Sequence, residues 1–164
     1  MKMTKFLAIG MMVLSLAACS KKNTNPDEGL AGGGQVTDAD INSGASDSDS
    51  NNAMGMQTIN FPFDSFEITG ENRAKLQNNV KILKDNPTVS VQVEGHCDER
   101  GGIQYNLALG EKRANAVKQQ LVAGGIAGSR VTIISMGKEK PIAQGSDDAA
   151  YAQNRRANFV ITAR

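Results

Sequence analysis

Glu94-Gly95-His96-Cys97-Asp98-Glu99-Arg100-Gly101-Gly102, running on into Ile103-Gln104-Tyr105-Asn106-Leu107-Ala108-Leu109-Gly110-Glu111-Lys112-Arg113-Ala114, is the stretch on which the fold turns. Before it, Val89, Val91 and Val93 alternate with polar residues, the period of a strand, and Gly95 closes the run. After it, Ile103, Leu107, Gly110, Ala114, Val117 and Leu121 recur in steps of three and four, the period of a helix over Ile103–Ala123. Gly124-Gly125 ends that helix. A strand, a polar loop and a long helix in this order form half of a strand–helix–strand unit.

Working outward, the same signals repeat on both sides. Ile59, Phe61 and Phe63 alternate as an opening strand, with Pro62 marking an edge or an irregular end. Thr69 is placed to cap a helix carrying Leu76, Val80 and Leu83, which Asn86-Pro87 stops. Downstream, Val131, Ile133 and Ser135 begin a third strand. A short helix from Asp147 to Gln153 leads to a last strand through Phe159 and Ile161. The order βαβαβαβ predicts the α/β class: an α+β sandwich with helices packed on one face of a mixed sheet.

Composition narrows the function classes. Aromatic residues are 4% of the 164 and Trp is absent, so a stacking platform for sugars or single-stranded nucleic acid is not expected. Net charge is +1, but it is unevenly spread. Residues 20–58 hold two basic and six acidic side chains, whereas residues 59–164 hold fourteen basic and eleven acidic. A mildly basic domain suits an anionic partner without the dense stripe of a nucleic-acid binder.

The N-terminus reads as an address. Lys2 and Lys5 precede an apolar run from Phe6 to Ala18, a secretory pattern too short for the roughly 20 residues of a membrane span. The run ends in Leu16-Ala17-Ala18-Cys19, which resembles the bacterial lipobox. That resemblance implies a signal peptide at 1–18 and lipidation of the Cys19 thiol. Ser20 follows in place of an inner-membrane retention Asp; by resemblance to sorted lipoproteins this implies a lipid anchor in the outer membrane with the domain facing the periplasm. With Cys19 lipidated, Cys97 has no partner and no disulfide framework is expected. Residues 19–55, with Gly32-Gly33-Gly34 and Ser46-Asp47-Ser48-Asp49-Ser50-Asn51-Asn52, offer little apolar surface and read as a disordered tether. Some 35 such residues span ~30–35 Å on average. The folded domain is expected over residues 56–164.

The densest polar cluster sits between the second strand and the long helix, a position that favours anions. Arg113 lies fifteen residues beyond Asp98, about three turns into the helix, beside the buried face at Ala114. Its long side chain leans back toward the loop. Asp98 and Arg113 together suit a zwitterion, with Asp accepting from an ammonium and the planar Arg fork holding a carboxylate. An internal salt bridge between the two is the alternative that this spacing leaves open. His96, Cys97 and Asp98 are neighbours on extended chain and face alternate ways, so neither a metal site nor a cysteine nucleophile is expected of them. His96 reads as structural. No nucleophile elbow or zinc-protease motif is present, and neither catalysis nor a cofactor is expected.

These residues resemble the OmpA-like domain family. The resemblance is carried by Glu94–Gly101, Tyr105–Ala114, Gly137-Lys138-Glu139-Lys140-Pro141, Asn154-Arg155-Arg156-Ala157 and Phe61-Pro62-Phe63-Asp64-Ser65. It implies non-covalent binding of the diaminopimelate of peptidoglycan stem peptides, with Asp98 on its amino group and Arg113 on its carboxylate. Phe63, Asp64, Asn106 and Leu109 would border the same groove. Lipobox and tether resemble the lipoprotein branch of that family, implying Tol proteins as partners in holding the envelope together during division. Arg155 and Arg156 would support the fold or the groove rim. A protein-interaction module without a cell-wall ligand, or a peptidoglycan hydrolase, are the other readings. Cys97 and Gly101-Gly102 depart from the family's usual residues.

Replacing Cys19 by Ser is expected to leave the protein soluble or unprocessed, measured by membrane fractionation. Continued membrane attachment would refute the anchor.

Overall fold

The computed structural model describes residues 46–164. The signal segment, Cys19 and the tether as far as residue 45 lie outside the described residues. Seven elements follow in the order expected: β1 (Ile59–Asn60), α1 (Gly70–Asp85), β2 (Ser90–His96), α2 (Ile103–Ala123), β3 (Val131–Gly137), α3 (Asp148–Asn154) and β4 (Arg156–Ala163). The strands form one mixed sheet in the order β1-β4-β2-β3, with β2 and β3 parallel and the other pairs antiparallel.

The core follows from the period-two pattern of the strands meeting the helical stripes. Val91 and Val93 of β2, Val131 of β3, and Ala157 and Phe159 of β4 point inward. They pack against Leu76 and Leu83 of α1 and Ala114, Val117 and Leu121 of α2. Arg130 closes the end of this layer by donating to the carbonyls of Leu83, Asn86 and Val89. That satisfies the last turn of α1, where carbonyls have no helical partner.

Helix α2 lies unusually close to β2. A methyl group on Gly95 would sit 1.8 Å from the carbonyl oxygen of Gly110, and one on Gly110 would sit 2.7 Å from that of Gly95. Only two glycines let the backbones approach this far. The contact fixes the height of α2 over the end of β2, and hence the place of every side chain on its inner face.

Three expectations need correction. Phe63 is not part of β1. Pairing with β4 stops at Asn60, one further bond runs from Phe61 N to Arg155 O, and Phe63 is 61% exposed. Pro62, which has no N–H, ends the strand. The inner stripe of α2 is also turned at its start, because Ile103 is 55% exposed while Asn106, Leu109 and Arg113 face inward. The apolar pattern misled here because the inner face carries polar residues that line a cavity.

The third correction concerns the tether. Ser46–Asn52 is folded onto β4: Ser48 N donates to Phe159 O, Ile161 N donates to Ser46 O, and Asp47 bridges Val160. Ser48 Oγ and N both reach Asn158 Oδ1, and Phe159 N donates back to Ser48 Oγ. Ala53 and Met56 are buried in the core. The fold therefore begins about ten residues before the expected boundary. Side-chain hydrogen bonds hold this segment more than apolar area does, so a hydrophobicity reading passes over it.

Gly95→Ala is expected to cost about 3 kcal/mol or more, since the added methyl meets backbone that cannot step aside. Gly102→Ala, with open space around its would-be methyl, should stay within about 0.5 kcal/mol. Urea unfolding midpoints of the two variants check this.

Candidate ligand-binding groove

The loop Cys97–Gly102, the lip Pro62–Ser65 between β1 and α1, and the first half of α2 enclose a cavity of about 210 Å³. Its lining includes Phe63, Asp64, Asp98, Asn106, Leu109 and Arg113, the six residues expected of a ligand site. Cys97, Arg100, Gly101, Tyr105 and Arg155 complete it.

Arg113 is the floor. It is 0% exposed, and its guanidinium bonds the lip and the end of β2 at once. Nε donates to Ser65 O at 2.8 Å and Nη2 to Pro62 O at 3.1 Å, while Nη1 reaches His96 O at 2.8 Å and Cys97 Sγ at 3.3 Å. Those contacts use four of its five N–H groups, leaving one toward the cavity. Burial works against its charge, and Cys97 and Asp98 partly offset that penalty. Arg113 is thus a structural residue as well as a candidate ligand group.

Asp98 does not pair with Arg113. Its Oδ2 accepts from Arg100 Nη2 at 2.6 Å and from Arg155 Nη1 at 3.2 Å, and its Oδ1 accepts from the Arg100 backbone N–H at 3.2 Å. Burial pushes this carboxyl up. The Arg100 and Arg155 guanidiniums and that N–H outweigh it, holding the group below its ordinary value. Arg100 is itself sandwiched between the Phe63 and Tyr151 rings, 4.1 and 4.3 Å from their centroids. On the opposite wall, Tyr105 donates to Asp64, which sits at φ 51°, a left-handed conformation rarely taken by residues other than glycine.

The loop is held from below and outside. Asn106 Nδ2 donates to Arg100 O, and Lys138 Nζ donates to the carbonyls of Glu99 and Gly101. Ser146 and Tyr151 both donate to Glu99 Oε1. Cys97 is buried, donates to Asn106 O at 3.3 Å and has its thiol pushed up chiefly by burial. No group of three or more His, Cys, Asp or Glu side chains suited to a metal occurs among the described residues. No helix among them is long and apolar enough to cross a membrane.

A model of the OmpA family matches residues 60–155, which hold α1, β2, α2, β3, α3 and the residues lining the groove. The chain belongs to the OmpA family. Curated relatives similar over almost the whole chain are peptidoglycan-associated lipoproteins. That of Pasteurella multocida is 38% identical over 157 residues, covering 95% of this chain and 96% of the relative. That of Haemophilus influenzae is 40% identical over 156 residues, with the same shares. Among solved structures, the Burkholderia pseudomallei peptidoglycan-associated lipoprotein is 43% identical, with a TM-score of 0.62. It covers 64% of this chain and 89% of that chain. The cell wall anchor of the Pseudomonas aeruginosa T6SS is 26% identical, with a TM-score of 0.57, over 65% of this chain and 80% of that one.

Within this OmpA-family groove, sequence reasoning missed Arg100 and Tyr105 and placed Arg155 only at a rim. Arg155 lies 57 positions from Asp98 and meets it only through the pairing of β4 with β2. Arg100 is two positions from Asp98, a spacing at which a guanidinium folds back onto a carboxylate. That signal was readable.

Because the folded Asp98 carboxyl is depressed, its contribution to stability is present above its unfolded pKa and is lost as pH falls through the folded one. Carboxyl-carbon NMR should find Asp98 titrating below an ordinary Asp, and Arg100→Gln should move it upward. An unchanged titration in that variant would remove Arg100 as the cause.

Proposed function

We propose that the groove binds the diaminopimelate of peptidoglycan stem peptides without altering it chemically. The observation that carries this reading is one small cavity holding carboxylates and a buried guanidinium within reach of a single amino-acid-sized ligand. A zwitterionic centre needs an acceptor for ammonium and a donor fork for carboxylate. Asp98 and Asp64 supply acceptors, and the remaining N–H of Arg113 supplies a donor from the floor. Asp98 is engaged by two arginines in the free protein, so an incoming ammonium competes with Arg100 for Oδ2. Asp64, held by Tyr105, meets no arginine and is the more available carboxylate. Leu109 and Phe63 pack against the ligand's methylene chain. Several relatives bear names of peptidoglycan-associated lipoproteins, which supports the same ligand.

Further, lipid on Cys19 anchors the chain in the outer membrane, so that wall binding ties membrane to wall from the periplasmic side. Tol proteins act as partners in this arrangement. The domain works as a binder and not as a hydrolase: the thiol of Cys97 is buried and bonded, with His96 directed to the far face of the sheet.

Co-sedimentation of the full chain with purified diaminopimelate-containing sacculi tests the reading. Asp98→Asn and Arg113→Lys should each weaken binding by about 1.5–3 kcal/mol, roughly ten- to hundredfold, the range for hydrogen bonds to charged groups. Arg113→Ala is unsuitable as a lone probe, since it strands the carbonyls of His96, Ser65 and Pro62 and should also lower stability. Sacculi binding unchanged in folded Asp98→Asn and Arg113→Lys would exclude the groove as the site.

A further inference from the structure

Glu94 and His96 are two apart on β2 and point to the same face of the sheet, away from α1 and α2. There they line a second cavity of about 500 Å³ that shares no residue with the groove. His96 is 1% exposed, yet neither ring nitrogen has a hydrogen-bond partner. Its Nε2 lies 3.5 Å from Glu94 Oε2, too far for a good hydrogen bond. Buried polar groups are ordinarily satisfied, and an imidazole with both nitrogens idle asks for a donor or acceptor from outside.

The charges lining this cavity define that group. Glu94 is 13% exposed and receives only Asn158 Nδ2, at 3.3 Å. Arg156, in the same cavity, is committed to Asp49 at 2.8 Å. Among the described residues no Lys or Arg is in ion-pair contact with Glu94; Lys140 stands on the rim and acts only through space. The carboxylate is therefore mostly buried with no cation bonded to it; His96 first, then Asn158 and the more distant Lys140, outweigh its burial and hold it below its ordinary value. Ile142, 51% exposed, and Val160 add apolar surface at the mouth.

We infer that this cavity docks an arginine side chain presented by a partner protein. A guanidinium offers several N–H groups in a fixed plane, enough to meet Glu94 at the cavity surface and, with a small turn of the buried ring, an unpartnered His96 nitrogen behind it. Its methylene stem lies along Ile142 and Val160. A buried arginine anchor is a common centre of protein–protein binding energy. The cavity and the groove open on different faces, so a partner and a cell-wall ligand can be held together. The inference does not depend on the groove's ligand.

The test is amide NMR of the full chain in detergent micelles, titrated with N-acetyl-arginine methylamide and, separately, with its neutral citrulline counterpart. Saturable shifts at Glu94, His96, Asn158 and Ile142 are expected with arginine, and citrulline should bind at least about tenfold more weakly, as loss of a charge-assisted bond implies. Glu94→Gln should abolish the difference while leaving sacculus binding intact. Lys140→Glu, which removes the rim's like charge, should tighten arginine binding. Equal binding of citrulline overturns the proposal, as do arginine shifts centred on Asp98 and Asp64. Saturation of His96 by zinc chloride with no response to arginine also overturns it, in favour of a metal site.

Discussion

The guanidinium of Arg113 ties the lip before α1 to the packed pair of α2 and β2. It is carried by α2, and it gathers carbonyls from the lip between β1 and α1 and from the end of β2. The bond to His96 O is buried and those to Ser65 O and Pro62 O are part-buried, and a buried carbonyl left unsatisfied costs about 1–3 kcal/mol. A buried cation is itself unfavourable unless surrounded by acceptors. The two needs cancel, and the result is a pocket floor whose shape is fixed before any ligand arrives. The close approach of Gly95 and Gly110 sets the depth at which this happens.

Much of the fold was legible because it follows from period alone. Val89, Val91 and Val93 could only alternate as a half-buried strand, and the order of seven elements followed from such patterns and their punctuation. What escaped the reading was polar. The inner face of α2 includes Asn106 and Arg113, and the apolar stripe drifted to Ile103 because nothing in hydrophobicity marks a polar residue as inward. The Ser46–Asn52 segment escaped for the same reason. Its backbone at Ser46 and Ser48 and the Ser48 hydroxyl satisfy the edge of β4, a role that composition assigns to disorder.

The site divides along similar lines. That Asp98 and Arg113 would lie together was readable from loop chemistry and helical spacing, and that Phe63, Asp64, Asn106 and Leu109 would border the same cavity from family resemblance. The direct pairing of Asp98 and Arg113 did not follow from either, and the structure places other arginines on Asp98. Spacing along one helix and one loop fixes which residues are near. It does not fix which of several cations reaches a carboxylate first. Arg155 enters only because β4 returns antiparallel to β2, a non-local event that no window of sequence contains.

That crowding of arginines has a consequence for selectivity. A carboxylate already held by Arg100 and Arg155 gives little to a simple cation, which would have to compete with Arg100 for Oδ2 and leave that guanidinium unpaired. A ligand that brings an ammonium together with a carboxylate can exchange partners, giving Asp98 the ammonium while a freed guanidinium takes the carboxylate. No charge is then left unpaired, and the desolvation cost is shared rather than added. The stacking of Arg100 between Phe63 and Tyr151 keeps that guanidinium at the mouth of the cavity during such an exchange. On the proposed binding mode, preference for a zwitterion over an isolated amine would arise from the free protein's own ion pairs, before any ligand contact is counted.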